Sequence, residues 1–396
     1  MRATRQPRSW PWLLLAAAAA SGAYQAVSAA NRVSDSDVGA PEPGRAPAPS
    51  VVLITLDGVR WQEIFHGVDA RLARQHGLAA SEVRSAASLT PNLHRLAAHY
   101  GAMLGGGARN STQVVVRASG PNFVSLPGYI ELLTGKPSNA CTSNDCDAVT
   151  TPTLLDELAA QTRGHSVVFS SWPVVGRATS LHHRGVLSSL GRSEGEQRAE
   201  LAKQPGVAAA FDAGVRDPSQ LGDDGYRPDV HTANAALAYW RSEVPRLSFV
   251  SLGDTDEYGH ADDYRAYLAA LQRADAFVGR AMELVLQRIA AGHPTTLLVT
   301  TDHGRADNFT NHGARYPESA RIWLAAMGSG IGARGNVVLT RSRNLADVAP
   351  SLRLLLGLFS QSGPNQGRAL SELRLRAPDS VRIESAIPPG ALSARL

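Results

Sequence analysis

Carboxylates and imidazoles recur in this 396-residue chain at the ends of short apolar runs. Val51 to Leu56 runs into Asp57-Gly58, and Leu247 to Leu252 runs into Gly253-Asp254-Thr255-Asp256-Glu257-Tyr258-Gly259-His260. Thr296 to Thr300 runs into Thr301-Asp302-His303-Gly304, and His312 follows in Asn311-His312-Gly313. One Asp after a strand is ordinarily a helix cap or a turn former. Three together, two accompanied by His, concentrate like charge, and a divalent cation is the economical offset. Asp256 and His260 stand four apart on one turn. With His312 they make an Asp-His-His set that leaves one tetrahedral position open, the arrangement of a catalytic zinc. Asp57, Asp302 and His303 form a second set. Six O and N ligands without thiolate suit two divalent ions, zinc first, with manganese or another divalent ion as the alternative. Taken singly, His303 and His312 read equally well as hydrogen-bonded loop histidines; the set is what carries the reading.

A nucleophile candidate lies in the segment from Asn122 to Gly135, NFVSLPGYIELLTG. Pro127, the apolar Ile130, Leu132 and Leu133, and the closing Gly135 describe a short helix that opens at or just after Ser125. Two readings of Ser125 stay open. A serine there is an ordinary N-cap. A helix N-terminus also offers free N–H groups and positive dipole to an anion, and a metal-bound serine would be an activated nucleophile facing a phosphate site.

The elements that must position these groups are legible as alternation. Val-, Ile- and Leu-rich runs at Val51 to Leu56, Val114 to Val116, Ser166 to Phe169, Leu247 to Leu252, Thr296 to Thr300 and Arg321 to Met327 read as buried strands. Thr153 to Gln161, His231 to Arg241 and Asp262 to Gln287 carry apolar residues at helical spacing. This order predicts an α/β fold with a mainly parallel central sheet sandwiched by helices, in which ligands gather beyond the carboxyl ends of the strands. One catalytic domain is expected over residues 50–360, followed by a polar tail over 361–396.

The N-terminal 30 residues show a basic stretch to Arg8, an apolar core from Trp10 through Ala20 and small residues ending at Ala30, which together read as a secretory signal peptide. An uncleaved anchor is the alternative, disfavoured because the core is shorter than the roughly 20 residues a span needs. A Pro/Gly-rich linker is expected over residues 31–49. The expected location is periplasmic or secreted, with no stable membrane span after cleavage. Without Arg2, Arg5 and Arg8 the chain carries 36 bases against 35 acids, a net charge of +1. That balance gives no electrostatic footprint for nucleic acid as a partner. Hydrophobic residues make up 43% of the chain, enough for a sizeable core, and no apolar run after residue 30 approaches a bilayer span, which excludes a polytopic membrane protein. Cys141 and Cys146 are the only cysteines. In an exported chain they read as a local disulfide holding Asn144 still, and a metal-binding pair is the competitor.

Taken jointly, five blocks resemble the alkaline phosphatase superfamily, most closely its exported type I phosphodiesterase/nucleotide pyrophosphatase-like and single-chain phosphatase branch. They are Leu56-Asp57-Gly58-Val59-Arg60, Ser125-Leu-Pro127-Gly-Tyr129 with Thr134-Gly135, Asp256-x-x-Gly259-His260, Thr301-Asp302-His303-Gly304-Arg305, and His312. The resemblance implies a two-metal hydrolase of small-molecule phosphate esters. Asp256, His260 and His312 would take one ion, Asp57, Asp302 and His303 the other, with Ser125 bound to the second as nucleophile. It also implies an asparagine on the phosphoryl oxygen, for which Asn144 is the match and Asn139 the fallback. The phosphodiesterase branch usually has threonine where this chain has Ser125. Sulfatases of the superfamily carry arginine four residues after the nucleophile, where this chain has Tyr129, so the formylglycine context is missing. Arg60, Arg177 and His183 are the candidates to grip a phosphate, although Arg177 reads better as a surface loop residue. Hydrolysis of sulfate or phosphonate esters and head-group transfer are the alternative activities.

Overall fold

A computed structural model describes residues 47–107, 114–162, 165–223, 225–359 and 365–373. The expected signal peptide and most of the linker lie outside the described residues, as does the tail beyond Leu373. Among the described residues no helix is long and apolar enough to cross a membrane.

The strands are β1 (Ser50–Leu56), β2 (Gly101–Leu104), β3 (Val116–Arg117), β4 (Ser166–Ser170), β5 (Val186–Leu190), β6 (Leu247–Leu252), β7 (Thr295–Thr300), β8 (Arg321–Ile322), β9 (Leu324–Gly328), β10 (Gly335–Asn336) and β11 (Arg343–Asn344). Eight of them form one sheet in the order β10-β2-β9-β7-β1-β6-β4-β5. Pairing is parallel from β7 through β1, β6 and β4 to β5, and antiparallel where β9 meets β7 and β2. β1 is buried along its whole length. Val52, Ile54 and Leu56 face one helical layer and Val51 and Leu53 the other, so the strand needs no polar alternation. A second, three-stranded sheet joins β11, β3 and β8.

The helices that matter for the site are α1 (Ser125–Thr134), α2 (Leu154–Gln161), α3 (Asp229–Trp240), α4 (Asp254–His260), α5 (Tyr264–Ala290) and α6 (Val348–Leu356). α1, α2 and α6 cover one face of the sheet, while α3 and α5 cover the other. α5 buries Tyr264, Tyr267, Leu271, Ala274, Val278, Ala281 and Val285, a stripe at three- and four-residue spacing. α2 begins with a capping box, Thr153 Oγ1 accepting from the Leu155 and Asp156 amides while Asp156 accepts from the Thr153 amide.

Two expectations shift. The run from Arg321 to Met327 is broken at Trp323, so β8 joins the small sheet and β9 the large one. The packed fold continues past the expected boundary at 360: Leu370 and Leu373 are buried, Arg343 pairs with Glu372, and the Gly332 amide donates to Leu373 O at 2.9 Å. Cys141 and Cys146 are joined in a disulfide, their Cα atoms 5.6 Å apart.

Candidate active site

The three central strands deliver their acids to one rim. β1 leads straight into Asp57, β6 leads through Gly253 into α4 with Asp256 and His260, and β7 leads to Asp302 and His303. α1 points its N-terminus at the same rim, and it comes very near: a Cβ on Gly128 would lie 2.8 Å from the Asp302 carbonyl oxygen. Only glycine at this position lets the first turn of α1 reach the β7 loop.

Ser125 is the first residue of that helix rather than its cap. The cap position is held by Val124, which makes no side-chain hydrogen bond. The Ser125 hydroxyl instead lies 3.2 Å from His303 Nε2 and 3.4 Å from Asp57 Oδ1. The helix's Leu126 amide is taken by Asn144 Oδ1 at 3.0 Å. Asn144 therefore stands beside Ser125, lining the same cleft of about 320 Å³ with Asp57, Trp172, Asp256 and His260. Asn139 lines a separate cleft with Arg341 and Arg343.

Backbone carbonyls fix two of the imidazole tautomers. His312 Nδ1 lies 2.8 Å from Phe123 O and His303 Nδ1 lies 2.8 Å from Gly304 O. A carbonyl only accepts, so each Nδ1 carries the proton and each Nε2 presents a lone pair to the site. His312 Nε2 faces His260 Nε2 at 3.0 Å, and Asp256 Oδ2 is 3.0 Å from the latter. Around His303 Nε2 stand Ser125 Oγ, Asp57 Oδ1 at 3.4 Å and Asp302 Oδ2 at 3.4 Å. Tyr129 donates to Asp57 Oδ2 at 2.8 Å, and so leaves Oδ1 for the cleft. Asp256 lies between the two sets, since its carboxylate also falls within 4.8 Å of Asp57 and His303 ligand atoms.

The electrostatics call for cations. Burial raises the Asp57 carboxyl well above its usual range, and Asp302 and Asp256 add to the rise. Burial, then Asp256, pushes Asp302 up to about 7. Burial drives His303 down to about 4, and burial with His303 drives His312 down to about 3, so both imidazoles are neutral at pH 7. Asp256 is held well below the usual range against the upward pull of burial, by Arg305 first and then by His312 and His260. Asp302 Oδ2 is buried without any hydrogen-bond partner. Neutral imidazole lone pairs, crowded carboxylates and an orphaned buried oxygen fit divalent ions at both sets.

All seven expected ligands are thus brought together with Asn144. The expected phosphate grips are not. Arg60 is buried between Glu63 and Asp69, 3.5 Å from each. Arg177 donates to the carbonyls of Asn144 at 3.3 Å and Cys146 at 3.1 Å, and so braces the disulfide loop from outside. His183 is exposed on a surface turn. Tyr129 and Arg305 lie within the motif blocks of the sequence, but neither was assigned a role there; the place of Tyr129 one helical turn after Ser125 was the available signal.

Residues 197–358 match the model of the metalloenzyme superfamily, a span that contains Asp256, His260, Asp302, His303 and His312. A 2,3-bisphosphoglycerate-independent phosphoglycerate mutase of Cereibacter sphaeroides is 30% identical over 192 residues, which cover 44% of this chain and 36% of that protein. The mutase of the same name from Cyanothece is 28% identical over 194 residues, 43% of this chain and 35% of that protein. The chain spans about a third of the length of these curated relatives. Among solved structures, the wild-type alkaline phosphatase PafA superposes with a TM-score of 0.55 at 12% identity, covering 84% of this chain and all of that one. A protein in the alkaline phosphatase superfamily from Vibrio parahaemolyticus superposes with a TM-score of 0.52 at 16% identity, covering 84% of this chain and 72% of that one.

Proposed function

We propose that this chain, whose fold is that of the alkaline phosphatase superfamily, hydrolyses phosphate esters through a covalent phosphoseryl enzyme formed on Ser125. The observation that carries this reading is the position of the Ser125 hydroxyl. It is at the N-terminus of α1, makes no capping bond, and faces His303 and Asp57 instead. Asp256, His260 and His312 would hold one divalent ion and Asp57, Asp302, His303 and Ser125 a second. Such ions supply Lewis-acid stabilisation of phosphoryl charge and activation of oxygen nucleophiles.

The chain's own groups account for orientation. Asn144 spends its Oδ1 on the Leu126 amide, which leaves both protons of its side-chain amide for a phosphoryl oxygen. Ser125 Oγ forms the bond to phosphorus as the bond to the ester oxygen breaks, and the alcohol leaves with a proton. Water then displaces Ser125 and returns it a proton, giving phosphate. In keeping with the signal peptide read over residues 1–30, the enzyme acts outside the cytoplasm.

The test is a panel on purified, metal-analysed protein: a phosphate monoester, a diester, a sulfate ester, a phosphonate ester, and a phosphoglycerate followed for isomerisation as well as hydrolysis. The expected result is that a phosphate ester is the best substrate and that chelation removes its turnover. Ser125→Ala should lose the phosphoenzyme and orders of magnitude in turnover while staying folded, because it deletes no cap bond. Ser125→Thr should keep partial activity. Near-normal turnover by Ser125→Ala would falsify the covalent route, and a sulfate ester as best substrate would replace the phosphate assignment.

A further inference from the structure

Arg305 is buried directly beneath the first ligand set, 1% exposed. Its guanidinium works in three directions. Nη1 is ion-paired with Asp256 Oδ1, Nε donates to Phe309 O at 2.6 Å, and Nη2 donates to Thr310 O at 2.7 Å. Phe309 and Thr310 open the loop that carries His312. One side chain therefore ties the helix bearing Asp256 and His260 to the loop bearing His312, and these three residues share no other element.

The surroundings are shaped to admit it. Gly259, between Asp256 and His260, leaves the guanidinium its space: a Cβ there would lie 2.5 Å from Arg305 Cζ. Gly58, at φ +60°, does the same from the β1 side, where a Cβ would lie 2.9 Å from Arg305 Nη1 and 2.2 Å from Asp256 Oδ1. A planar fork suits this job, since its three nitrogens reach acceptors spread around one plane, whereas all three protons of an ammonium leave a single nitrogen.

We propose that Arg305 is a positioning residue for the Asp256–His260–His312 site: it occupies Asp256 Oδ1 so that an ion receives Oδ2 alone, and it sets the approach of His312. The inference rests on the metal reading above. Oδ2 is the oxygen turned to the imidazoles, 3.0 Å from His260 Nε2 and 3.9 Å from His312 Nε2. Arg305 also balances the single carboxylate of this set, whereas Asp57 and Asp302 bring two carboxylates to the other. The two sites consequently differ in charge, and the Arg305 site is the weaker and more easily emptied of the two.

The experiment is a titration of the metal-free, full-length chain with Zn²⁺ against a chromophoric chelator, repeated with Co²⁺ to record its absorption bands. Wild type, Arg305→Met, Arg305→Lys and Gly259→Ala are compared. Wild type should bind two ions. Arg305→Met should keep the tighter ion and bind the other about 10–100-fold more weakly, with loss of one component of the Co²⁺ spectrum. Arg305→Lys should fall between them. Gly259→Ala retains the arginine but displaces its guanidinium, and alanine suits a helix better than glycine; it should reproduce the selective loss and decides the matter if Arg305→Met does not fold. Wild-type affinity for both ions in both variants, or equal weakening at both sites, overturns the proposal. A wild-type chain that takes up no ion overturns the metal reading itself, and that failure is visible without any variant.

Discussion

Asp57 keeps one oxygen for the cleft because Tyr129 holds the other, and Tyr129 in turn accepts from the Ser251 hydroxyl at 2.8 Å. At this scale the acids and imidazoles of the proposed site were legible in the sequence and their orientations were not. Asp57, Asp256, His260, Asp302 and His303 follow apolar strands closely, so their shared rim could be read; the choice for Ser125 between cap and nucleophile could not, because both roles use the same residue at the same helix end. Arg60, Arg177 and His183 failed as phosphate grips because only tertiary partners decide where a long side chain goes. The crowded carboxylates have a measurable consequence. The folded-state pKa of Asp302, about 7, lies above its unfolded value near 3.8. Its contribution to stability is therefore full below about pH 4 and lost as pH rises through 7. His303 and His312 run the other way, depressed to about 4 and 3, and their contribution still grows while the unfolded imidazoles titrate around 6.5. Between pH 6.5 and 8 the metal-free protein should lose about 1 kcal/mol from Asp302, a loss that the two histidines largely offset. Asp302→Asn removes the loss and keeps the offset, so chelated wild type should fall by about 1 kcal/mol relative to that variant across the interval. Thermal melts of the two chelated proteins check this; a difference that stays constant with pH would count against the charge crowding.

Among the elements, α1 is the one whose placement the chemistry depends on. Gly128→Ala pits two effects against each other. Alanine gains up to about 1 kcal/mol in helix propensity. The added methyl would sit 2.8 Å from Asp302 O and 3.2 Å from Asp302 C, contacts with backbone that cannot swing aside. Overpacking of this kind costs about 1–3 kcal/mol, so the variant should be destabilised on balance. Turnover should drop further than stability explains, because α1 carries Ser125 away from His303. Denaturant melts and kinetics on the same preparation separate the two losses. The strand pattern explains what could be read at this scale. β1, β4, β6 and β7 are apolar and β-branched, and they stand out. β2 is the four-residue GAML and β5 is VLSSL, neither with a period that marks a strand. The break between β8 and β9 falls at Trp323, whose indole N–H donates to Val59 O at 3.1 Å. That partner lies in a distant part of the chain, and local pattern cannot announce it.

For the molecule as a whole, the sheet order has a consequence in time. β1, the first element among the described residues, pairs with β6 on one side and β7 on the other, Val51 lying opposite both Leu247 and Thr296. The centre of the sheet cannot close until most of the chain exists. Folds dominated by such distant pairings form slowly, because loop closure must precede the contacts that reward it. A chain ended after α5, at residue 290, should therefore stay unfolded by circular dichroism and be cut by protease across residues 50–290; a stable, protected fragment would show that the sheet can nucleate without β7. The proposed ligand sets obey the same order, since neither is complete until the segment from Asp302 to His312 has joined Asp57 and Asp256. Metal uptake at the proposed site would then be a receipt for finished assembly: a chain holding its full complement of ions would already have folded.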